Sequence, residues 1–113
     1  MDNIKDDYYY ARKIRDDFQF VLDQTDGLSK QAITENAVLL DSIMFRLIQI
    51  SENSLKLTEQ FKNQFKVIPW LALKGLRNRI VHDYGNVDYS VIYSTIKDEI
   101  PGCVAELNRI LGE

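Results

Sequence analysis

Residues 35–64 read ENAVLLDSIMFRLIQISENSLKLTEQFKNQ. Within them Leu40, Ile43, Leu47, Ile50, Ser54, Leu57 and Phe61 recur near one stripe at three- and four-residue steps, the spacing of one face of a helix. No glycine or proline interrupts the run, so it predicts a single long helix, the spine of an all-helical bundle.

Outward from that spine the same periodicity returns. From Asn3 to Gln24, residues Ile4, Ala11, Ile14, Phe18, Val21 and Leu22 form one helical face, and Gly27 ends the element. Ser29 to Ile33 reads as a helical turn that redirects the chain. On the C-terminal side, Pro69 suits a first helical turn, where its missing N–H costs nothing, and the helix is expected to reach about Val81. Asp83 to Val87 is a turn by composition, with Gly85 and Asn86 able to take positive φ. Asp88 is the expected N-cap of YSVIYSTIKDEI, and Pro101 either kinks that helix or starts a last one ending at Leu111. Tyr8, Tyr9 and Tyr10 read as amphipathic packing residues of the first helix, and Tyr89 and Tyr93 as the same on the later one. There is no internal repeat, low-complexity tract or strand-like alternation.

Composition narrows the function classes. A chain of 113 residues, 45% hydrophobic and 27% charged, is one domain spanning 1–113 of ordinary globular type. No apolar run approaches the roughly 20 residues that cross a bilayer. MDNIKDDYYY carries acids where a signal peptide needs a basic region, so the expected compartment is the cytoplasm, with no membrane partner. The single cysteine, Cys103, fits a reducing compartment and reads as a small core hydrophobe.

A net charge of −3 argues against a surface coated with basic residues for nucleic acid, but not against a local site. Lys74, Arg77, Arg79 and the only histidine, His82, fall within nine acid-free residues, a cluster able to hold a phosphate or two. At about 100° per residue, Leu73, Leu76 and Ile80 mark one arc of the 70–81 helix, Trp70 and Val81 extend it, and Arg77 falls inside. A guanidinium there must be paired, with Glu52 a candidate, or must line a cleft or subunit interface. His82 follows Arg77 by five residues, about 140° around an unbroken helix, so the two cannot share one phosphate within it. Either the helix ends before His82 and the imidazole swings back, or two copies of the chain meet across a two-fold axis. Alternatively, His82 is simply a helix C-terminal histidine favoured by the dipole. Tyr84 places a phenol beside the same cleft. No metal-ligand spacing is visible, and no cofactor is expected.

RNRIVHDY, in which Arg77, His82 and Tyr84 stand as R-x4-H-x-Y, resembles the signature of the HepT-like toxins of the HEPN superfamily. The likeness extends over IPWLALKGLRNRIVHDYGNVDYSVIYSTIKDEIP and to ISENSLKL, where Ser51 stands at a position at which the family usually has glycine. The resemblance implies an all-α, four- to five-helix bundle that is homodimeric, with its active site at the dimer interface. It implies a metal-independent endoribonuclease acting on RNA, mRNA or tRNA, with Arg77, His82 and Asn78 catalytic and Lys74 and Arg79 holding substrate phosphate. It also implies a type II toxin–antitoxin system in which an MNT-type nucleotidyltransferase antitoxin transfers AMP to Tyr84. The alternative is a non-catalytic HEPN subunit that docks onto a nucleotidyltransferase and helps bind its substrate.

Overall fold

The computed structural model describes residues 6–113. Its elements are α1 (Asp7–Thr25), α2 (Lys30–Thr34), α3 (Ala37–Ser54), α4 (Glu59–Gln64), α5 (Trp70–His82), a 3-10 turn (Tyr84–Asn86), α6 (Tyr89–Ser94), a π-helical turn (Thr95–Glu99) and α7 (Ile100–Leu111). Among the described residues the fold is all-helical, and no helix is long and apolar enough to cross a membrane. It is a bundle of four rods: α1, α3, α5 and the continuous α6–π–α7 rod, with α2 and α4 as short connectors. The central α1–α3 pair packs against α7 on one side and α5 on the other.

The stripes read from the sequence are the core. Ala11, Ile14, Phe18 and Val21 of α1 are fully buried against Ile43 and Ile50 of α3, while Leu22 is only partly covered. Ile4 and the expected start at Asn3 lie outside the described residues; the described helix begins after Asp6, whose carboxylate caps the Tyr9 N–H. Asp26 closes α1, and Gly27 takes φ +71°, a conformation open to glycine because it has no Cβ.

Two expectations need correction. The 35–64 run is not one helix: α3 stops at Ser54, and Thr58 starts α4 by accepting the Phe61 N–H. The break holds because Asp7, at the start of α1, accepts both the Thr58 N–H (2.8 Å) and its hydroxyl (2.7 Å). The apolar stripe survives it, since Leu57 and Phe61 are still buried. Second, Gly85 and Asn86 keep negative φ, because the turn closes as a 3-10 helix in which the Asn86 N–H reaches the Asp83 carbonyl. Tyr8 and Tyr9 are more exposed than Tyr10 but pack by their ring edges, Tyr8 against the core residue Phe61 and Tyr9 against Tyr10, which leans on the core.

Pro101 starts α7 without stopping the rod. A proline in helical phase lacks its N–H and clashes with the carbonyl four residues back. The backbone answers by widening to a π turn over Thr95–Glu99, where the Ile100 N–H bonds the Thr95 carbonyl.

Candidate active site

Leu73, Leu76 and Ile80 are the buried positions of α5, which fixes the rotation of that helix and directs the rest of its side chains. Arg77 leans toward α3. Its Nε donates to Glu52 Oε1 at 2.8 Å and its Nη1 to Asn78 Oδ1 at 3.0 Å. The pair is not sealed, because the two side chains keep 30% and 41% of their exposure. A guanidinium has five N–H donors, so Arg77 is anchored by two while the others remain for an anion. The pairing expected for a buried Arg77 and the cleft expected for a functional one therefore coexist in this site.

His82 is the last residue of α5 and exposed, and among the described residues its side chain makes no hydrogen bond or ion pair. Because the helix runs unbroken through it, the imidazole does not swing back toward Arg77. The geometry in which the helix ends before His82 is therefore not the one in this chain.

Tyr84, 44% exposed on the 3-10 turn, donates its phenolic hydrogen to Asp41 of α3. That bond, then partial burial and the negative charge of Asp41, push the phenol up to about 12. Asp41 was missed by sequence reasoning, although a signal existed. Asp41 and Glu52 stand on one stripe of α3 with Val38, Phe45, Ile48 and Leu55, three turns or about 16 Å apart. One helix edge thus holds Arg77 with one carboxylate and Tyr84 with another.

Lys74 and Arg79 part company. Lys74 lines an open pocket with residues of α4, while Arg79 faces α6, lining grooves that also contain Asp83, Asp88 and Glu99. The helix wheel explains this, since Arg79 lies about 160° from Arg77 on the other flank of α5. Apolar side chains frame the α3 side: Val38, Phe45 and Leu55 from α3, and Leu71 (84% exposed) and Val81 from α5. Among the described residues no group of three His, Cys, Asp or Glu side chains is placed to hold a metal ion.

An all-helical bundle whose α5 and following turn carry Arg77, His82 and Tyr84 has the architecture of a HEPN-type ribonuclease domain. The profile of the ribonuclease HepT-like family matches residues 11–110, and the chain belongs to that family. It is similar to "Putative RNase TTE0752" of Caldanaerobacter subterraneus subsp. tengcongensis, 28% identical over 102 residues that cover 90% of this chain and 91% of the other. It is also similar to "Putative RNase MJ1380" of Methanocaldococcus jannaschii, 26% identical over 80% of this chain and 83% of that protein. With "Probable ribonuclease HepT" of Thermococcus cleftensis it shares 30% identity over 61 residues, 54% of this chain and 56% of that one. No solved structure gives a significant match.

Proposed function

We propose that this protein is a metal-independent endoribonuclease that works as a symmetric homodimer, with Arg77 of one subunit and His82 of the other at each site. The observation that carries the proposal is the pairing of an anchored Arg77, with donors to spare, and an unpartnered His82 that the unbroken α5 turns away from it. A two-fold axis near α5 resolves the mismatch. The exposed Val38, Phe45 and Val81 supply the apolar surface that such a contact needs.

The chemistry follows from the side chains. A ribose 2′-hydroxyl gives up its proton and attacks the adjacent phosphorus; the bond to the 5′-oxygen breaks and that oxygen takes a proton, leaving a 2′,3′-cyclic phosphate. His82 performs one of the two proton transfers. Arg77 meets the charge that grows on the non-bridging oxygens, and Asn78 holds the guanidinium in register. Lys74, one turn before Arg77, serves the neighbouring phosphate, and Arg79, on the opposite flank of α5, a more distant one.

The activity is that of a cytoplasmic toxin, and the regulator is an MNT-type nucleotidyltransferase that moves AMP from ATP to Tyr84. Its phenol is exposed on a surface turn, within reach of a second enzyme. The added phosphodiester would bring negative charge to the mouth of a cleft built for phosphate. Incubating the purified protein with total RNA in chelator and mapping the ends tests the nuclease: cut RNA ending in cyclic phosphate, lost in His82→Ala, is the expected result. RNA left intact, together with tight binding to the nucleotidyltransferase, would assign the protein to the non-catalytic subunits. For the regulator, mass spectrometry after incubation with partner, ATP and Mg²⁺ should find AMP on the wild type and none on Tyr84→Phe.

A further inference from the structure

Because α3 breaks at Ser54, α4 folds back beside the start of α5, and an open pocket of about 580 Å³ lies between them. Its lining includes Lys62, Lys66, Lys74, Asn63 and Trp70. The volume falls within the range of small-molecule sites. In an acidic protein the charge here is reversed: three lysines face one carboxylate, Glu59, which is already taken by Lys62 at 3.0 Å. Among the described residues Lys66 and Lys74 are in no ion pair. Trp70 is held in place by its indole N–H, which donates to the Phe65 carbonyl at 3.1 Å.

We infer that this pocket binds the nucleotides of single-stranded RNA next to the cleaved bond, its lysines on the backbone phosphates and Trp70 under a base. The inference rests on the ribonuclease reading and extends its site. Lys74 precedes Arg77 by three residues, so their Cβ atoms are about 5–6 Å apart on one helix face, a step that one nucleotide of backbone covers. A strand whose scissile phosphate sits on Arg77 therefore meets Lys74 next and then the pocket with Lys66 and Trp70. Lysines supply sequence-independent phosphate contacts, and an aromatic ring accepts the face of any base, so the pocket adds affinity without selecting a sequence.

Trp70 is the only tryptophan, so its fluorescence reports on the pocket alone. The full-length protein is titrated with an eight-nucleotide 2′-O-methyl oligouridylate, which cannot be cleaved, over a range of salt. Quenching is expected, with Lys66→Gln weakening binding about tenfold at low salt and lowering the log–log salt slope by about 0.7. In cleavage assays Lys66→Gln should lower the ratio of kcat/KM on an octanucleotide to that on a dinucleotide, because the dinucleotide is too short to enter the pocket. Salt-dependent quenching that Lys66→Gln weakens supports the pocket whether or not RNA is cut, so failure of the nuclease reading is seen separately. Unchanged fluorescence, or an octanucleotide preference that Lys66→Gln leaves intact while wild type still cleaves, overturns the inference. So would a Lys66→Gln protein with normal RNA affinity and altered sedimentation, which would make the pocket a protein contact.

Discussion

Replacing Glu52 by glutamine keeps the shape of the side chain and removes the charge that fixes Arg77. The bond it weakens is short, at 2.8 Å, and charge-assisted, but it lies at a half-open surface with 30% and 41% side-chain exposure. Hydrogen bonds to charged groups contribute about 1.5–3 kcal/mol when protected, and exposed ion pairs about 0.2–1 kcal/mol. The geometry lies between these, so the stability loss should be about 1 kcal/mol. An unfolding entropy of about 2.1 cal/mol/K per residue turns this into a fall in Tm of about 4 °C, readable by circular dichroism. The effect on cleavage should be larger, about ten- to a hundredfold, because a guanidinium held only through Asn78 loses its aim at the phosphate. A double-mutant cycle separates positioning from direct action. If Glu52 works through Arg77, Glu52→Gln costs nothing more in an Arg77→Ala background. Losses that multiply, or a rise in cleavage when the carboxylate is removed, would show that Glu52 does not act by positioning Arg77.

The tyrosine titration gives a second check. With its phenol pushed up to about 12, Tyr84 keeps a proton between pH 10 and 12 that the unfolded chain has already released, so stability should fall as pH rises through that window. Asp41→Asn should bring that ionisation back toward the ordinary value of a phenol in a spectrophotometric titration. Ser51 is fully buried and its hydroxyl has no hydrogen-bond partner among the described residues. Ser51→Ala should accordingly stabilise the fold by about 1 kcal/mol, seen as a higher urea midpoint. Burial pushes the Cys103 thiol up to about 11, so a thiol reagent at pH 8 should label it only after unfolding.

Periodicity carried most of the fold, because burying an apolar stripe is what each helix must do. It failed where a contact distant in sequence decided the local outcome. Nothing inside residues 35–64 announces that Asp7, 51 residues before Thr58, will satisfy the backbone and cap of a new helix there. The pocket beside α5 is a product of that break and was invisible for the same reason. In the site, Glu52 was legible as the partner of Arg77, since an arginine in an apolar arc demands a carboxylate. Asp41 was legible only as a neighbour of Glu52 on one stripe of α3; its pairing was not, because that need arises only once Tyr84, 43 residues later, lies across α3. Arg79 was grouped with Lys74 on charge alone, although the helix wheel already set it on the other flank from Arg77.

Subunit mixing tests whether each catalytic centre joins Arg77 of one subunit to His82 of the other. Arg77→Ala and His82→Ala proteins, each inactive alone, are unfolded together, refolded in equal amounts and assayed on RNA. Random pairing makes half of the dimers mixed, and each mixed dimer holds one intact centre of two, so the account predicts about a quarter of wild-type activity. A mixture as inactive as its parents, beside a wild type that cleaves, would contradict it.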